Sequence, residues 1–190
     1  IAIIGRKGSG KSTILELITR MYDVEQGQIL IDERNIKDLN LNDLRKSISV
    51  VPQDCFLFSD TIAHNIKFGK PQASEAEVIQ VAKLAQVDDN IMDFKDNYQT
   101  VLGERGITLS GGQRQRVSIA RALLKEAQIY LFDDCLSAVD TDTEEKILQN
   151  LSQVAQQTTR IIVSHRVSVA RNADYIRFLD QRQRIGEGTH

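Results

Sequence analysis

Eight residues near the start of the chain, Gly5-Arg6-Lys7-Gly8-Ser9-Gly10-Lys11-Ser12, fill every position of the pattern G-x-x-x-x-G-K-[ST]. An apolar run, Ile1 to Ile4, precedes them, and a helical pattern from Thr13 to Met21 follows. A strand that turns through glycines into a helix can be built in few ways. Glycines let successive backbone N–H groups turn inward as an anion nest, and the helix start adds a favourable dipole. Gly5, Gly8, Ser9, Gly10, Lys11, Ser12 and Thr13 are therefore the expected phosphate-binding set, with the Lys11 ammonium reaching the phosphates.

Further apolar runs read as buried strands: Ile29 to Ile31, Ser47 to Val51, Ile129 to Phe132 and Ile161 to Val163. Helical patterns bound several of them, as a mostly parallel α/β sheet requires. The stretch 55–124 has helical periodicity and little strand signal, so it reads as a helical insertion between core segments 1–54 and 125–190. Ser74 with Glu77 and Thr141 with Glu144 are expected capping boxes, and Tyr175 to Leu179 with Arg184 to Glu187 an expected closing hairpin. The 190-residue length suits one domain carrying such an insertion.

The second chemical signal is Ile129-Tyr130-Leu131-Phe132-Asp133, an apolar strand ending in an acid. Beside a phosphate loop, Asp133 and the Ser12 hydroxyl are expected to hold Mg²⁺ on a nucleotide. With 24 basic and 26 acidic residues the net charge is −2, which argues against a nucleic-acid partner held by phosphate contacts. Two cysteines, Cys55 and Cys135, give no disulfide framework and read as reduced thiols of a cytosolic compartment. No apolar run nears the roughly 18 residues of a membrane span, so any spanning part is expected outside this chain. The apolar start at Ile1 reads as the interior of a longer polypeptide, with an antiparallel β part expected upstream.

Between the phosphate loop and the Asp-ended strand lies Leu109-Ser110-Gly111-Gly112-Gln113-Arg114-Gln115-Arg116, which resembles the signature of ATP-binding cassette (ABC) ATPases. The order of motifs matches over essentially the whole chain. The resemblance implies a P-loop NTPase fold, RecA-like, with an inserted α-helical signature subdomain. It implies ATP and Mg²⁺ as ligands and a head-to-tail dimer with a second cassette. There Leu109, Ser110, Gly111, Gly112 and Gln113 face the partner's ATP. Gln53, after Val50-Val51-Pro52, resembles the glutamine that contacts Mg²⁺ or the attacking water. Asp140, in Ser137-Ala138-Val139-Asp140, resembles the D-loop aspartate that acts across the dimer, or serves as a helix-start residue. His165 resembles the switch histidine near the γ-phosphate.

Gly103-Glu104-Arg105-Gly106 is similar to the exporter x-loop, so Glu104 and Arg105 are expected to meet a transmembrane domain. Phe56, Leu57 and Phe58 are candidates for a docking groove, with core packing as the rival role. These features imply an exporter cassette on the cytoplasmic face of a membrane, powering export by ATP hydrolysis. One departure matters. Most active members carry Glu after the Mg²⁺ aspartate, whereas this chain has Asp134, one methylene shorter. The same pattern resembles the degenerate-site subunit of heterodimeric multidrug or lipid exporters. Asp134 is thus either a working catalytic carboxylate or the mark of a largely non-hydrolytic ATP-binding subunit. A non-transport ABC ATPase is the further alternative. Homodimer and heterodimer both remain open.

Overall fold

The computed structural model describes residues 1–104, 108–154, 158–180 and 183–188. Its contacts divide the chain into two units. The first comprises Ile1–Val50, Ala127–Asp133 and the described residues from Thr158 on; the second comprises Val51–Glu126 and the described residues of Asp134–Gln157.

The first unit is built on a six-stranded sheet. Its strands are β1 (Ala2–Gly5), β4 (Ile48–Val51), β5 (Ile129–Asp133), β6 (Thr159–Ser164), β7 (Ile176–Asp180) and β8 (Gln183–Gly188), in the order β4-β5-β6-β1-β7-β8. Strand pairs β5–β6, β6–β1 and β1–β7 are parallel, and β7–β8 closes the edge as an antiparallel hairpin. The apolar runs at Ile1 to Ile4, Ile129 to Phe132 and Ile161 to Val163 therefore lie where a parallel sheet buries them. The run Ile29 to Ile31, expected as a buried strand, lies outside this sheet, and Leu30 in it is exposed. A separate two-stranded ribbon pairs β2 (Leu30–Ile31) with β3 (Arg34–Asn35). With only two residues and no apolar side chain, β3 carries no strand signal of its own.

Helices α1 (Lys11–Ile18) and α2 (Leu41–Ser47) belong to this unit. Ile3, Leu15, Ile36, Leu44, Ile48, Leu131 and Val163 form its buried apolar cluster. Asn40 caps α2, its side chain accepting from the Asn42 and Asp43 N–H groups. Because Leu15 on α1 and Ile3 on β1 share one cluster, packing fixes the turn between strand and helix.

The second unit is helical: α3 (Ile62–Lys67), α4 (Glu75–Leu84), α5 (Asp88–Met92), α6 (Gly111–Leu124) and α7 (Thr141–Val154). Helix α6 packs on both α3 and α4. Gly69 allows this close approach, since a Cβ there would collide with the Arg121 carbonyl. Both bonds of the Ser74–Glu77 box at α4 are present. At α7 the expected cap is displaced by one residue. The helix begins at Thr141, and it is the Asp140 side chain that accepts from the Thr143 N–H at 2.9 Å. Asp140 has a charged acceptor and sits just before the first turn, where its carboxylate can reach the orphan donors that Thr141, already inside the helix, cannot.

No helix among the described residues is long and apolar enough to cross a membrane.

Candidate functional site

In the first unit, three motifs end three adjacent parallel strands. Gly5 closes β1, Asp133 closes β5, and His165 follows Ser164, the last residue of β6. The registers Ile4↔Ser164 and Asp133↔Val163 put all three at the same edge of the sheet. Ligands of open α/β sheets bind outside the carboxyl ends of the strands.

Helix α1 starts at that edge. Its N-cap, Gly10, is left-handed at φ 90°, a conformation that leaves no side chain to cap the helix. The first turn of α1 carries no acid either. Its orphan N–H groups and positive dipole end are thus left for an external anion. Lys11 is 9% exposed, and its ammonium folds back over the loop. It donates to the carbonyls of Gly5 and Arg6 at 2.7 and 2.8 Å, and more weakly to Ser9 Oγ at 3.4 Å. All three are neutral acceptors, and among the described residues no carboxylate pairs with this buried ammonium, so its charge is available to a bound anion. Ser9 is buried, and its N–H donates to the Arg6 carbonyl at 3.2 Å. Thr13 is exposed on the first turn.

Across the sheet edge, the Ser12 hydroxyl donates to Asp133 Oδ1 at 2.9 Å, although 121 residues separate them. A hydroxyl and a carboxylate meeting beside a phosphate loop form a hard oxygen pair. That chemistry suits Mg²⁺, which takes few protein ligands and completes its shell with water and phosphate. The described residues hold no cluster of three His, Cys, Asp or Glu side chains fit for a metal, and such a Mg²⁺ site does not need one. His165 is exposed at the end of its strand.

The other expected residues lie in the second unit. Gln53 is exposed after β4. Asp134 turns sharply off β5 at φ 45°. Aspartate is among the few non-glycine residues that adopt this region readily. Leu109 is buried, and Ser110 caps α6. The Gln113 N–H donates to Ser110 Oγ at 3.2 Å, while the Ser110 N–H donates to Gln113 Oε1 at 2.9 Å. This complete capping box was not foreseen from the sequence, although Ser110 and Gln113 have the required spacing.

Gly112 lets α6 approach the loop at Ala138; a Cβ on it would lie 2.7 Å from the Ala138 carbonyl oxygen. The Asp140 carboxyl is held below the usual carboxylate range, first by its bonds to Thr143 and more weakly by the nearby Arg116. The Arg116 guanidinium donates to the Gly112 carbonyl at 3.3 Å and closely to that of Gln86.

Of the docking candidates, Phe56 and Phe58 are exposed but Leu57 is fully buried, so Leu57 belongs to the core. The exposed rings of Phe58 and Phe68 lie against the Arg121 guanidinium. Asn65, missed in the sequence, is buried and staples this loop: it accepts from the Phe58 N–H at 2.8 Å and donates to the Phe58 carbonyl at 3.0 Å. Arg121 in turn donates to the Asn65 carbonyl at 2.8 Å and to Asn65 Oδ1 at 3.0 Å. Glu104 is exposed, and Arg105 lies outside the described residues.

A phosphate loop at the carboxyl edge of a mostly parallel sheet, with an acid closing the strand two places away, defines a P-loop nucleotide-binding domain. The ABC transporter family model matches residues 1–137, and the chain belongs to that family. It is 46% identical over 190 residues to the heavy metal tolerance protein of Schizosaccharomyces pombe, covering all of this chain and 23% of that protein. It is also 46% identical over 190 residues to ATP-dependent lipid A-core flippase 1 of Colwellia psychrerythraea, covering all of this chain and 32% of that protein. Among solved structures, a bacterial Atm1-family ABC exporter with ATP bound superposes with a TM-score of 0.95 at 46% identity, over the whole of this chain and 33% of that one. The chain thus spans about a quarter to a third of the length of these relatives.

Proposed function

We propose that this chain binds and hydrolyses Mg-ATP as the motor cassette of an exporter, pairing head-to-tail with a second cassette around two nucleotides. The observation that carries the reading is the edge of the first unit. There a buried Lys11 ammonium and the Ser12–Asp133 oxygen pair flank an uncapped helix start.

In this reading Gly5, Gly8, Ser9, Gly10, Lys11, Ser12 and Thr13 hold the phosphates through backbone N–H groups, the ammonium and hydroxyls. Ser12, Asp133 and Gln53 would hold the metal, which when bound would offset negative charge in the transition state. Asp134 orients and deprotonates the attacking water, and His165 approaches the transferred phosphoryl group. Leu109 to Gln113 and Asp140 serve the partner's nucleotide. Glu104 and Arg105 meet the transmembrane domain, which places the cassette on the cytoplasmic face of a membrane. Functionally the chain divides into a core of 1–54 and 125–190 and a signature subdomain of 55–124. The names of the relatives, an ATP-dependent lipid A-core flippase and an ATP-bound exporter, support transport as the use of the energy.

A second reading rests on Asp134. Its side chain is one methylene shorter than glutamate, and its φ of 45° suits aspartate whatever its chemistry. On that reading ATP acts as a clamp at this site. Mg-dependent ATP turnover of the full-length protein in its native assembly separates the two. If Asp134 is the working base, Asp134→Asn lowers turnover by about a hundredfold, the scale of general-base catalysis. If Asn changes little while Asp134→Glu raises turnover, the site is a slow one and the second reading stands.

A further inference from the structure

Gln115 lies on the buried face of α6 and is 7% exposed. A glutamine amide so placed must satisfy both its ends. It does so on one short loop. The Ala138 N–H donates to Gln115 Oε1 at 3.0 Å, and Gln115 Nε2 donates to Ser137 Oγ at 3.1 Å. One turn earlier on the same helix, Gly112 leaves room for the Ala138 carbonyl. Two residues after Ala138, Asp140 caps α7. The loop Ser137–Asp140 is thus clasped at its start by α6 and tied at its end to α7, within one unit.

We propose that Gln115 is a positioning residue for ATP hydrolysis at the partner cassette's site, holding Asp140 in fixed register with the signature at the start of α6. The inference rests on the proposed function and extends it to a residue outside the signature proper. Ser110 and Asp140 stand at the starts of different helices, and no covalent constraint shorter than the chain from 110 to 140 sets their separation. The Gln115 amide is the hydrogen-bonded clamp of the loop onto α6, beside the weaker charge attraction of Arg116 for Asp140. Because α6 is a single 14-residue helix, its first turn and the clasped loop move as one body. Loss of the clamp leaves the nucleotide's own phosphate loop, in the other unit, untouched.

The test is made on the full-length protein in its native assembly with Gln115→Leu and Gln115→Glu. Leucine keeps the volume and deletes both hydrogen bonds. Glutamate restores them, since the Ala138 N–H still finds an oxygen and the Ser137 hydroxyl rotates to donate to the other. The expected result is a kcat for ATP lowered about tenfold or more in the leucine variant with KM unchanged, as small misplacements of reacting groups produce. The glutamate variant keeps kcat within about threefold of wild type. Hydrogen exchange supplies a readout independent of turnover: the Ala138 amide exchanges roughly tenfold faster in the leucine variant, while interior amides of α6 stay as protected as before. Unchanged kcat with leucine, equal losses with leucine and glutamate, or exchange at Ala138 that rises only together with all of α6, each overturns the inference. A wild-type protein without Mg-ATP turnover overturns the proposed function itself, and this role with it, whatever the exchange shows.

Discussion

Two helix starts in this molecule are built from similar glycine- and serine-rich sequence and end up in opposite electrostatic states. At α1, Gly10 occupies the cap position without a side chain to offer, and a buried lysine stands over the turn without a carboxylate. At α6, Ser110 and Gln113 bond each other's backbone, so both are already satisfied. The other described helices resemble α6 rather than α1. Asn40, Thr61, Ser74 and Asp140 cap α2, α3, α4 and α7 with side chains, and α5 has Asp88 and Asp89 in its first turn. Among the described α-helices α1 alone has neither a side-chain cap nor an early acid. A chain that gives its other α-helix starts a cap or an acid and leaves one open beside a buried cation has set that start aside for an anion. The α6 start, by contrast, is stable alone. In the proposed dimer it would meet a phosphate only by exchanging its own cap for one, which suits a site completed by a second molecule.

The largest effect should come from the open start. Lys11→Met removes the buried ammonium while keeping its stem. ATP affinity measured by calorimetric titration should fall by about a hundredfold, the worth of one or two charged hydrogen bonds. The same variant should be as stable as wild type, or more so, in nucleotide-free thermal melts, because an unpaired buried charge has been replaced by an apolar group. Loss of stability in those melts would mean that the loop needs the lysine structurally, and the contrast with α6 would break.

At the closed start the order reverses. Ser110→Ala should cost about 1 kcal/mol of stability, the usual worth of an N-cap. It should also lower ATP turnover, since the hydroxyl is missing where the partner's phosphate would sit. Chemical denaturation and steady-state kinetics on the same preparation check both.

The smallest effect concerns α4, a helix start closed purely for structure. Glu77 accepts from Lys70 at 2.8 Å and from the Ser74 N–H at 2.7 Å, which hold its carboxyl down to about 2, from an ordinary 4.5. A depressed carboxylate contributes stability above its unfolded value and loses it as pH falls through the folded one. The contribution is therefore complete above about pH 4.5 and disappears toward pH 2. The group is exposed, so the effect is modest. Glu77→Gln should flatten that part of the stability–pH curve and leave nucleotide binding unchanged.

What was legible beforehand follows from how local each signal is. The phosphate loop, the Asp133 strand and the Ser74–Glu77 box are written in consecutive or i, i+3 residues, and each lies where the spacing puts it. Thr141 was a weaker inference because two adjacent residues could cap α7, and only backbone geometry chose Asp140. Leu57 sits between two exposed phenylalanines, and burial on one side of a loop has no periodicity to betray it. Gln115, Asn65 and the fit of Gly112 against Ala138 were hidden for a deeper reason. Their partners are set by packing of segments distant in the chain. The one trace of Gln115 was a polar residue on the same helical stripe as Ser118 and Ala122, both buried.

The most direct measurement sets the two helix starts against each other. Mg-ATP binding isotherms are recorded for the full-length wild type, Lys11→Met and Ser110→Ala under conditions where the cassettes are still apart. The account predicts that Lys11→Met weakens binding by about a hundredfold while Ser110→Ala binds within about twofold of wild type, the α6 start being needed only after dimerisation. Equal loss in both variants, or near-wild-type binding without Lys11, would contradict it.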